Sequence, residues 1–302
     1  MNRPVARTSR AFAPGHVTGI FRPELDRRDP RGRGSVGAGV VLELGVWAEA
    51  RFLPGPRATV KVVGDAPGPW TISQEVARRL APRRSGALTV QLTHELPVGQ
   101  GFGTSAAGAL ATALAIRAIV GGPRSRAVTV AHLADLFGGG GLGGVAAILG
   151  GGLEVRTRAG VPPWGRVVHR PFDARLLIGV VGRPIPSPSV LTDPRALRRI
   201  VAASRGWSTL ARRPTPERFF DRAERFTDRA GLASPAVLRT VRALRQRRAW
   251  ACQAMFGESF FALPRTPESR GECLEWLRGR GIRAVEIHAA THGARAERLG
   301  PR

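Results

Sequence analysis

A glycine-rich loop before an apolar run constrains this chain more than any other feature. Residues 97–107 read PVGQGFGTSAA, and a run of mostly Ala, Leu, Thr and Ile follows as far as Val120. Alternate glycines permit positive φ and a close backbone approach, and a helix that begins near Ser105 presents its free N–H groups to an anion. The pattern predicts a polyphosphate-binding loop at the start of a buried helix.

The loop also offers hydroxyl groups. Thr104 and Ser105 lie at the predicted helix start, where a Mg²⁺ ion that bridges nucleotide phosphates would be bound. The loop does not end in Gly-Lys-Ser/Thr, and it lacks the later acid of a dinucleotide-binding fingerprint. The alternative interpretation is a turn that only packs a helix against a sheet. The residues that we predict to bind the polyphosphate are Pro97, Gly99, Gly101, Phe102, Gly103, Thr104, Ser105 and Ala106.

Bulk composition sets the class of protein. The chain has 302 residues and is 43% hydrophobic, which favours a globular protein of two lobes. Its two cysteines, Cys252 and Cys273, have no partner motif for a disulfide framework or a zinc site, which favours a reducing compartment. No stretch resembles a signal peptide or a membrane span. We therefore expect a cytoplasmic protein with no membrane partner.

The net charge of +25 has two interpretations. A strongly basic chain is typical of nucleic-acid binding. However, every basic residue except Lys61 is arginine, and the arginines are spread in small clusters, which favours a coding bias. Charge alone supplies a nonspecific and salt-sensitive attraction. We therefore do not expect specific nucleic-acid binding.

The order of predicted elements indicates an α+β protein, because strands and helices mix without strict alternation. We expect a disordered N-terminus at 1–10, an exposed loop at 22–34, an N-terminal lobe at 11–160 and a C-terminal lobe at 161–302. Predicted strands are 39–50, 58–63, 88–92, 153–157, 176–181, 259–263 and 283–288, and predicted helices are 105–120, 127–137, 194–212, 216–230, 234–249 and 268–280.

The central loop resembles the P-x-G-x-G-x-G-S-S-A motif of the GHMP kinases, with Thr104 in place of the usual serine. Two more segments occur in the expected order. Residues 13–19, APGHVTG, resemble the first motif, which lines the acceptor site, and residues 251–257, ACQAMFG, resemble the third, which closes over the nucleotide. The resemblance implies a nucleotide-binding α+β lobe, a ferredoxin-like C-terminal lobe and, commonly, a homodimer.

Within that superfamily, PGHVTG and the GSVGAG stretch at 34–39 resemble the archaeal pantoate kinases. Further similar segments are 131–135, 141–143, 151–156, 189–191 and 214–219, so that the resemblance covers roughly 11–292. It implies transfer of the γ-phosphate of ATP, with Mg²⁺, to the primary hydroxyl of pantoate, giving 4-phosphopantoate for coenzyme A biosynthesis.

The resemblance also implies roles for individual residues. Ser105 and Asp135 are the expected metal ligands, and together with His16 they form the expected catalytic set. For Asp135 the alternative is an ordinary exposed helix acid, and for His16 a loop histidine bonded to backbone. Pantoate is an anion, so an arginine should bind its carboxylate, but the sequence does not say which. The residues expected to bind the acceptor are His16, Thr18, Ser35, Gly37 and Ala38.

One position departs from the family pattern. Many members carry a carboxylate directly after the G-L-G stretch, whereas this chain has Gly144. General-base catalysis contributes about 10²- to 10⁴-fold, while phosphoryl transfer depends mainly on positioning and charge stabilisation. Two alternatives therefore stay open: a GHMP kinase for another alcohol, such as homoserine or an isoprenoid precursor, and an inactive basic paralogue that binds RNA.

Overall fold

The computed structural model describes residues 5–66, 68, 70–183 and 190–299, and it confirms an α+β protein. The chain opens with two long antiparallel strands, β1 (Arg7–Glu24) and β2 (Gly34–Pro54), joined through a short 3₁₀ turn at Pro30–Gly32. The prediction of disorder at 1–10 is wrong for residues 7–10, which pair within β1, while residues 1–4 lie outside the described part. Part of the predicted loop at 22–34 is likewise strand.

The other elements follow in chain order. The next are β3 (Thr59–Gly64), α1 (Thr71–Leu80), β4 (Gly86–His94), α2 (Thr104–Val120), α3 (Arg124–Phe137), α4 (Gly144–Ala147), β5 (Leu153–Arg158), β6 (Arg166–Arg170) and β7 (Arg175–Val180). The last are α5 (Pro194–Ala203), α6 (Trp207–Arg212), α7 (Pro216–Arg229), α8 (Pro235–Gln246), β8 (Ala249–Gln253), β9 (Ser259–Pro264), α9 (Pro267–Gly279), β10 (Ala284–His288) and β11 (Arg295–Leu299). The sequence analysis did not predict β1, α1, α4, β6, β8 or β11, and its single helix at 194–212 is two helices.

The strands form two sheets. The first has the order β11-β1-β2-β4-β3, with β5 and β6 attached to the other end of β2. The second has the order β10-β7-β9-β8, and its neighbouring strands are all antiparallel. Numbered within this sheet, the order is 4-1-3-2 with helices after the first and third strands, which is the ferredoxin-like arrangement. The predicted boundary near residue 160 stays a prediction.

Helix α2 forms the centre of the first lobe. Most of its residues are buried, and its many alanines let it pack closely against the first sheet, α1 and α3. The hydroxyl of Ser9 on β1 donates a 2.7 Å hydrogen bond to the carbonyl of Ala115, so that this buried polar group is satisfied. The C-terminal half of α2 is thereby fixed to β1.

A second apolar cluster joins the two sheets. Phe219, Phe220 and Phe226 of α7 pack beneath β1. A side chain at Gly19 would come within 2.7 Å of the Phe219 ring, so that this position admits only hydrogen. Strand β1, which contains the APGHVTG segment, is thus packed against helices from the second half of the chain.

None of the helices in the described ranges has both the length and the hydropathy needed to cross a membrane.

Candidate active site

The glycine-rich loop has the conformation that its sequence predicts. Gly99, Gly101 and Gly103 adopt φ values of 73°, 77° and 70°, the left-handed region that side chains disfavour. Gly103 directly precedes α2, and no described side chain caps the helix. The first N–H groups of α2 have no partner within the helix, so they are available to an anion.

The third motif lies directly against this loop. A Cβ at Gly101 would lie 2.6 Å from the carbonyl oxygen of Met255 and 2.7 Å from that of Ala254. Below them, the Ser259 hydroxyl donates a hydrogen bond to the carbonyl of Gln100. The loop is therefore packed between the start of α2 and the 251–257 segment, and Met255 and Phe256 reach the same cavity as the loop.

Ser105 and Asp135 meet at the floor of that cavity. The Ser105 hydroxyl donates a 2.7 Å hydrogen bond to Oδ1 of Asp135, which lies in the last turn of α3 and is only 2% exposed. Burial raises the pKa of Asp135 to about 7, although the Ser105 bond opposes the shift. Asp135 is therefore not the exposed helix acid of the alternative interpretation.

These two side chains fit a magnesium ion held partly by phosphates. A Cβ at Gly140 would lie 2.0 Å from Asp135 Oδ1 and 2.2 Å from Ser105 Oγ, so the backbone leaves room beside both oxygens. No cluster of three or more His, Cys, Asp or Glu side chains suited to a metal occurs in the described ranges. Mg²⁺ commonly takes one or two protein oxygens and completes its shell with phosphates and water.

The other end of the cavity is basic. Arg156 of β5 lines it, with a side chain that is 3% exposed and an Nε atom that has no hydrogen-bond partner. A Cβ at Gly143 would lie 2.7 Å from that Nε and 2.7 Å from Ser35 Oγ, so these two groups converge over the glycine. Among the described residues, Arg156 is the one arginine that lines the cavity.

His16 and Glu154 lie beside Arg156. The buried His16 ring is 2.9 Å, Nε2 to Oε1, from Glu154, and the same carboxylate oxygen accepts a hydrogen bond from Arg156. Burial lowers the pKa of His16. Burial alone would raise the pKa of Glu154, but the Arg156 charge and the His16 bond lower it. The site therefore holds a neutral imidazole beside an ionised carboxylate.

An aromatic pair marks the third side of the cavity. Trp70 stacks on His94 with ring centroids 4.6 Å apart and an interplanar angle of 22°. Nδ1 of His94 bonds Asp65 at 2.8 Å, which orients the ring. Trp70 adopts φ 49°, an uncommon value for a bulky residue, directly before α1. A flat, partly apolar wall of this kind suits a nucleobase.

Most of the predicted site residues line one cavity of about 560 Å³. Those that line it are His16, Thr18, Ser35, Gly99, Gly101, Gly103, Thr104, Ser105, Ala106 and Asp135. Four predicted residues are not among those that line it, and their roles stay predictions. Pro97 is exposed outside it, the Phe102 ring packs in the apolar core, Ala38 is fully buried, and Gly37 packs against the Ile20 carbonyl.

Sequence reasoning missed Glu154, Arg156, Trp70 and His94. A usable signal existed for the first two, because opposite charges two residues apart on a strand share a face. Gly144 begins α4, and a Cβ there would lie 2.6 Å from the Ala106 methyl and 4.0 Å from Asp135 Oδ2. A carboxylate at position 144, which the family pattern has and this chain lacks, would therefore lie beside Asp135.

Comparisons with known proteins agree with this geometry. The model of the GHMP kinases N terminal domain matches residues 71–152. A pantoate kinase of Thermococcus kodakarensis is 34% identical over 86% of this chain and 89% of its own, and one of Methanospirillum hungatei is 29% identical over 86% and 88%. A solved phosphotransferase related to the CoA biosynthesis pathway superposes with a TM-score of 0.87, at 31% identity, over 96% of this chain and 99% of its own. This chain belongs to the pantoate kinase family of the GHMP kinases.

Proposed function

We propose that this protein transfers the γ-phosphate of ATP to the primary hydroxyl of pantoate, giving 4-phosphopantoate, with Mg²⁺ as the metal. The loop at 99–106 holds the phosphates, the Trp70–His94 side holds the base, and Ser105 with Asp135 holds the metal. Arg156 holds the acceptor carboxylate. When bound, Mg²⁺ neutralises charge on the β- and γ-phosphates.

The proposal depends on the distance between the metal-binding pair, Ser105 and Asp135, and the Arg156 guanidinium. Gly140 packs against Ser105 and Asp135, whereas Gly143 packs against Arg156 and Ser35. Three residues of backbone span at most about 10 Å, so a short acceptor together with the γ-phosphate that it receives can bridge the metal-binding pair and the guanidinium. Pantoate has a carboxylate at one end of a four-carbon chain and the reacting hydroxyl at the other.

The charge of the cavity favours pantoate over an amino acid. Asp135 is the one acid among the described residues that line the cavity, and it lies at the phosphate end. The ammonium group of homoserine would lie next to Arg156, and the nearest acid, Glu154, already accepts hydrogen bonds from Arg156 and His16. The ammonium would therefore lack an acidic partner of its own, and an unpaired buried charge is costly. Pantoate presents a neutral hydroxyl at the equivalent carbon, which avoids that cost.

Phosphoryl transfer in this site depends on the alignment of the acceptor hydroxyl with the γ-phosphate. The Arg156 guanidinium anchors the carboxylate, and the loop amides and Ser105 align the γ-phosphate. The bond from the γ-phosphorus to the bridging oxygen breaks as the bond to the acceptor oxygen forms, and the hydroxyl proton leaves to a phosphate oxygen or to solvent. A loose transition state needs little base assistance, which is compatible with Gly144.

The experiment is an acceptor panel. Purified protein is offered pantoate, homoserine and mevalonate with ATP, with and without Mg²⁺, and ADP release is followed while the product is identified by ³¹P NMR. We expect Mg²⁺-dependent turnover that is fastest with pantoate. Arg156→Lys keeps the charge but not the paired donors, so it should raise KM for pantoate much more than KM for ATP.

Two other outcomes would contradict the proposal. Faster turnover of homoserine or mevalonate would assign another acceptor, and RNA binding without ATP turnover would favour the inactive paralogue. The predicted homodimer and cytoplasmic location stay predictions, and light scattering of the purified protein tests the first.

A further inference from the structure

Glu154 is a buried carboxylate that the proposed reaction does not use directly. Its side chain is fully buried on β5, and it is not among the residues that line the cavity. One oxygen, Oε1, accepts hydrogen bonds from both His16 and Arg156, the two groups that face the acceptor end. A single atom therefore fixes two side chains of the cavity wall.

The backbone around this carboxylate leaves little freedom. Glu154 pairs with Gly39 of β2 and with His169 of β6. A Cβ at Gly39 would lie 2.3 Å from His16 Nε2, so the absence of a side chain there creates the space for the imidazole. The amide of His16 also donates a 3.0 Å hydrogen bond to the carbonyl of Phe102 in the phosphate loop.

The charge states fix the tautomer of His16. Its pKa is lowered by burial, and that of Glu154 is also lowered, so the pair is a neutral imidazole beside a carboxylate. A carboxylate accepts hydrogen bonds only, so Nε2 must carry the proton and Nδ1 must be the acceptor. Nδ1 lies 3.4 Å from the hydroxyl of Thr18, which lines the cavity.

We propose that Glu154 is the positioning residue of the acceptor site, holding the Arg156 guanidinium toward the cavity and setting the tautomer of His16. Glu154 acts through these two residues and does not touch the substrate. The identity of the acceptor in this inference rests on the proposed function.

Glu154→Gln tests the proposal against a purely electrostatic role. If Glu154 only offset the charge of Arg156, its neutralisation would strengthen binding of an anionic acceptor, and KM for pantoate would fall. If it positions both groups, KM for pantoate rises about 10- to 100-fold, the range for one lost hydrogen bond to a charged group. KM for ATP should change less than threefold.

A spectroscopic measurement examines the tautomer directly. The ¹⁵N chemical shifts of the imidazole nitrogens distinguish the two neutral tautomers, and a His16→Asn sample assigns the signal among the six histidines. We expect the Nε2–H form in the parent protein. In Glu154→Gln the carboxamide can donate to Nε2, so we expect the proton to move to Nδ1.

The control is Glu286→Gln. Glu286 lies on β10, outside the cavity lining, and its Oε2 is also close to two arginines, Arg270 at 2.9 Å and Arg175 at 3.9 Å. Its variant should keep the parental KM for both substrates.

Three results would overturn the inference: an Nδ1–H tautomer in the parent, an unchanged or lower KM for pantoate in Glu154→Gln, or an equal rise in the KM for ATP. The first does not depend on Glu154→Gln, so it stands even if that variant does not fold. If the parent does not phosphorylate pantoate, the proposed function fails, while the tautomer still reports on the arrangement of Glu154.

Discussion

The hydroxyl of Ser105 donates a 2.7 Å hydrogen bond to Oδ1 of Asp135, and this bond links the phosphate loop to the last turn of α3. The two residues are 30 positions apart, so the fold rather than the local sequence brings them together. Because Asp135 is buried and aligned by this bond, the pair is preorganised for the proposed magnesium ion.

Ser105→Ala should impair catalysis more than folding. It removes one ligand oxygen from the proposed metal site, and the loss of a preorganised group that stabilises transition-state charge typically costs about 10²-fold in turnover. The fold loses one hydrogen bond, worth about 1 kcal/mol. We expect turnover to fall about 100-fold while the melting temperature changes by only a few degrees.

Ser204→Ala is the matched control for that variant. Ser204 is buried at the end of α5, and its hydroxyl donates a 2.8 Å hydrogen bond to the carbonyl of Val201, away from the cavity. The control should lose a similar amount of stability and keep its turnover. Equal turnover in Ser105→Ala and the parent would contradict the metal-binding role of Ser105.

Asp135 should make the metal-free protein less stable as pH rises. Its pKa is about 7 in the fold and about 4 in the unfolded chain, so between these values the folded state holds a proton that the unfolded state has lost. The free energy of unfolding therefore decreases from about pH 4 to pH 7 and is lowest above pH 7. The full difference is roughly 4 kcal/mol for three pKa units.

Asp135→Asn removes this dependence and leaves the other charges in place. We expect the variant to gain stability relative to the parent as pH rises from 4 to 8, as measured by urea unfolding without Mg²⁺ or nucleotide. The comparison at each pH cancels the contribution of the large net positive charge. A constant difference across the range would show that Asp135 ionises normally in the fold.

Gly101→Ala should loosen the phosphate loop from the third motif. The alanine methyl would lie within 2.7 Å of two backbone oxygens, those of Met255 and Ala254, and neither can rotate away. Gly281 has a similar φ of 67°, but a Cβ there meets nothing within 4 Å. Gly281→Ala therefore measures the cost of a positive φ without a steric contact, about 1–2 kcal/mol.

We expect Gly101→Ala to be destabilised by more than Gly281→Ala and to bind Mg·ATP at least tenfold more weakly than the parent. Denaturant unfolding measures the first difference and calorimetric titration the second. If the two variants lost equal stability, the contact between the loop and the third motif would contribute little.

The elements that the sequence predicted well depend on local patterns. Helix α2 begins at Thr104, directly after the last glycine of the loop, because an apolar run and a glycine turn are both visible in a short window. Helix α1 was missed because its start has no capping signal: Trp70 precedes it and offers no side-chain hydrogen bond. Strand β11 was missed because it is defined by pairing with β1 at the opposite end of the chain.

The same distinction applies to the candidate site. The loop residues are contiguous, so their motif identifies them directly. His16 and Glu154 are 138 positions apart, and only the pairing of β2 with both β1 and β5 brings them together. The choice of Arg156 among many arginines likewise required the cavity, because the acid two residues before it indicates a shared strand face but not a binding site.

Gly144 tests how much a second carboxylate is worth in this site. A Cβ at that position would lie 2.6 Å from the Ala106 methyl and 4.0 Å from Asp135 Oδ2. Gly144→Asp alone should therefore be destabilised by overpacking, typically about 1–3 kcal/mol, and by its proximity to Asp135. Adding Ala106→Gly removes the methyl and provides the space.

In the double variant the new carboxylate lies beside Ser105 and Asp135, the proposed metal ligands. There it can take the proton of the pantoate hydroxyl or serve as a further metal ligand. Base catalysis contributes about 10²-fold or more where it operates, so we expect turnover of pantoate to exceed that of the parent, with Ala106→Gly alone as the control. A double variant that folds but shows no gain would mean that alignment by Arg156 and the loop already accounts for the rate. In that case the glycine at 144 costs this enzyme nothing, because the transition state is stabilised by charge and position rather than by proton removal.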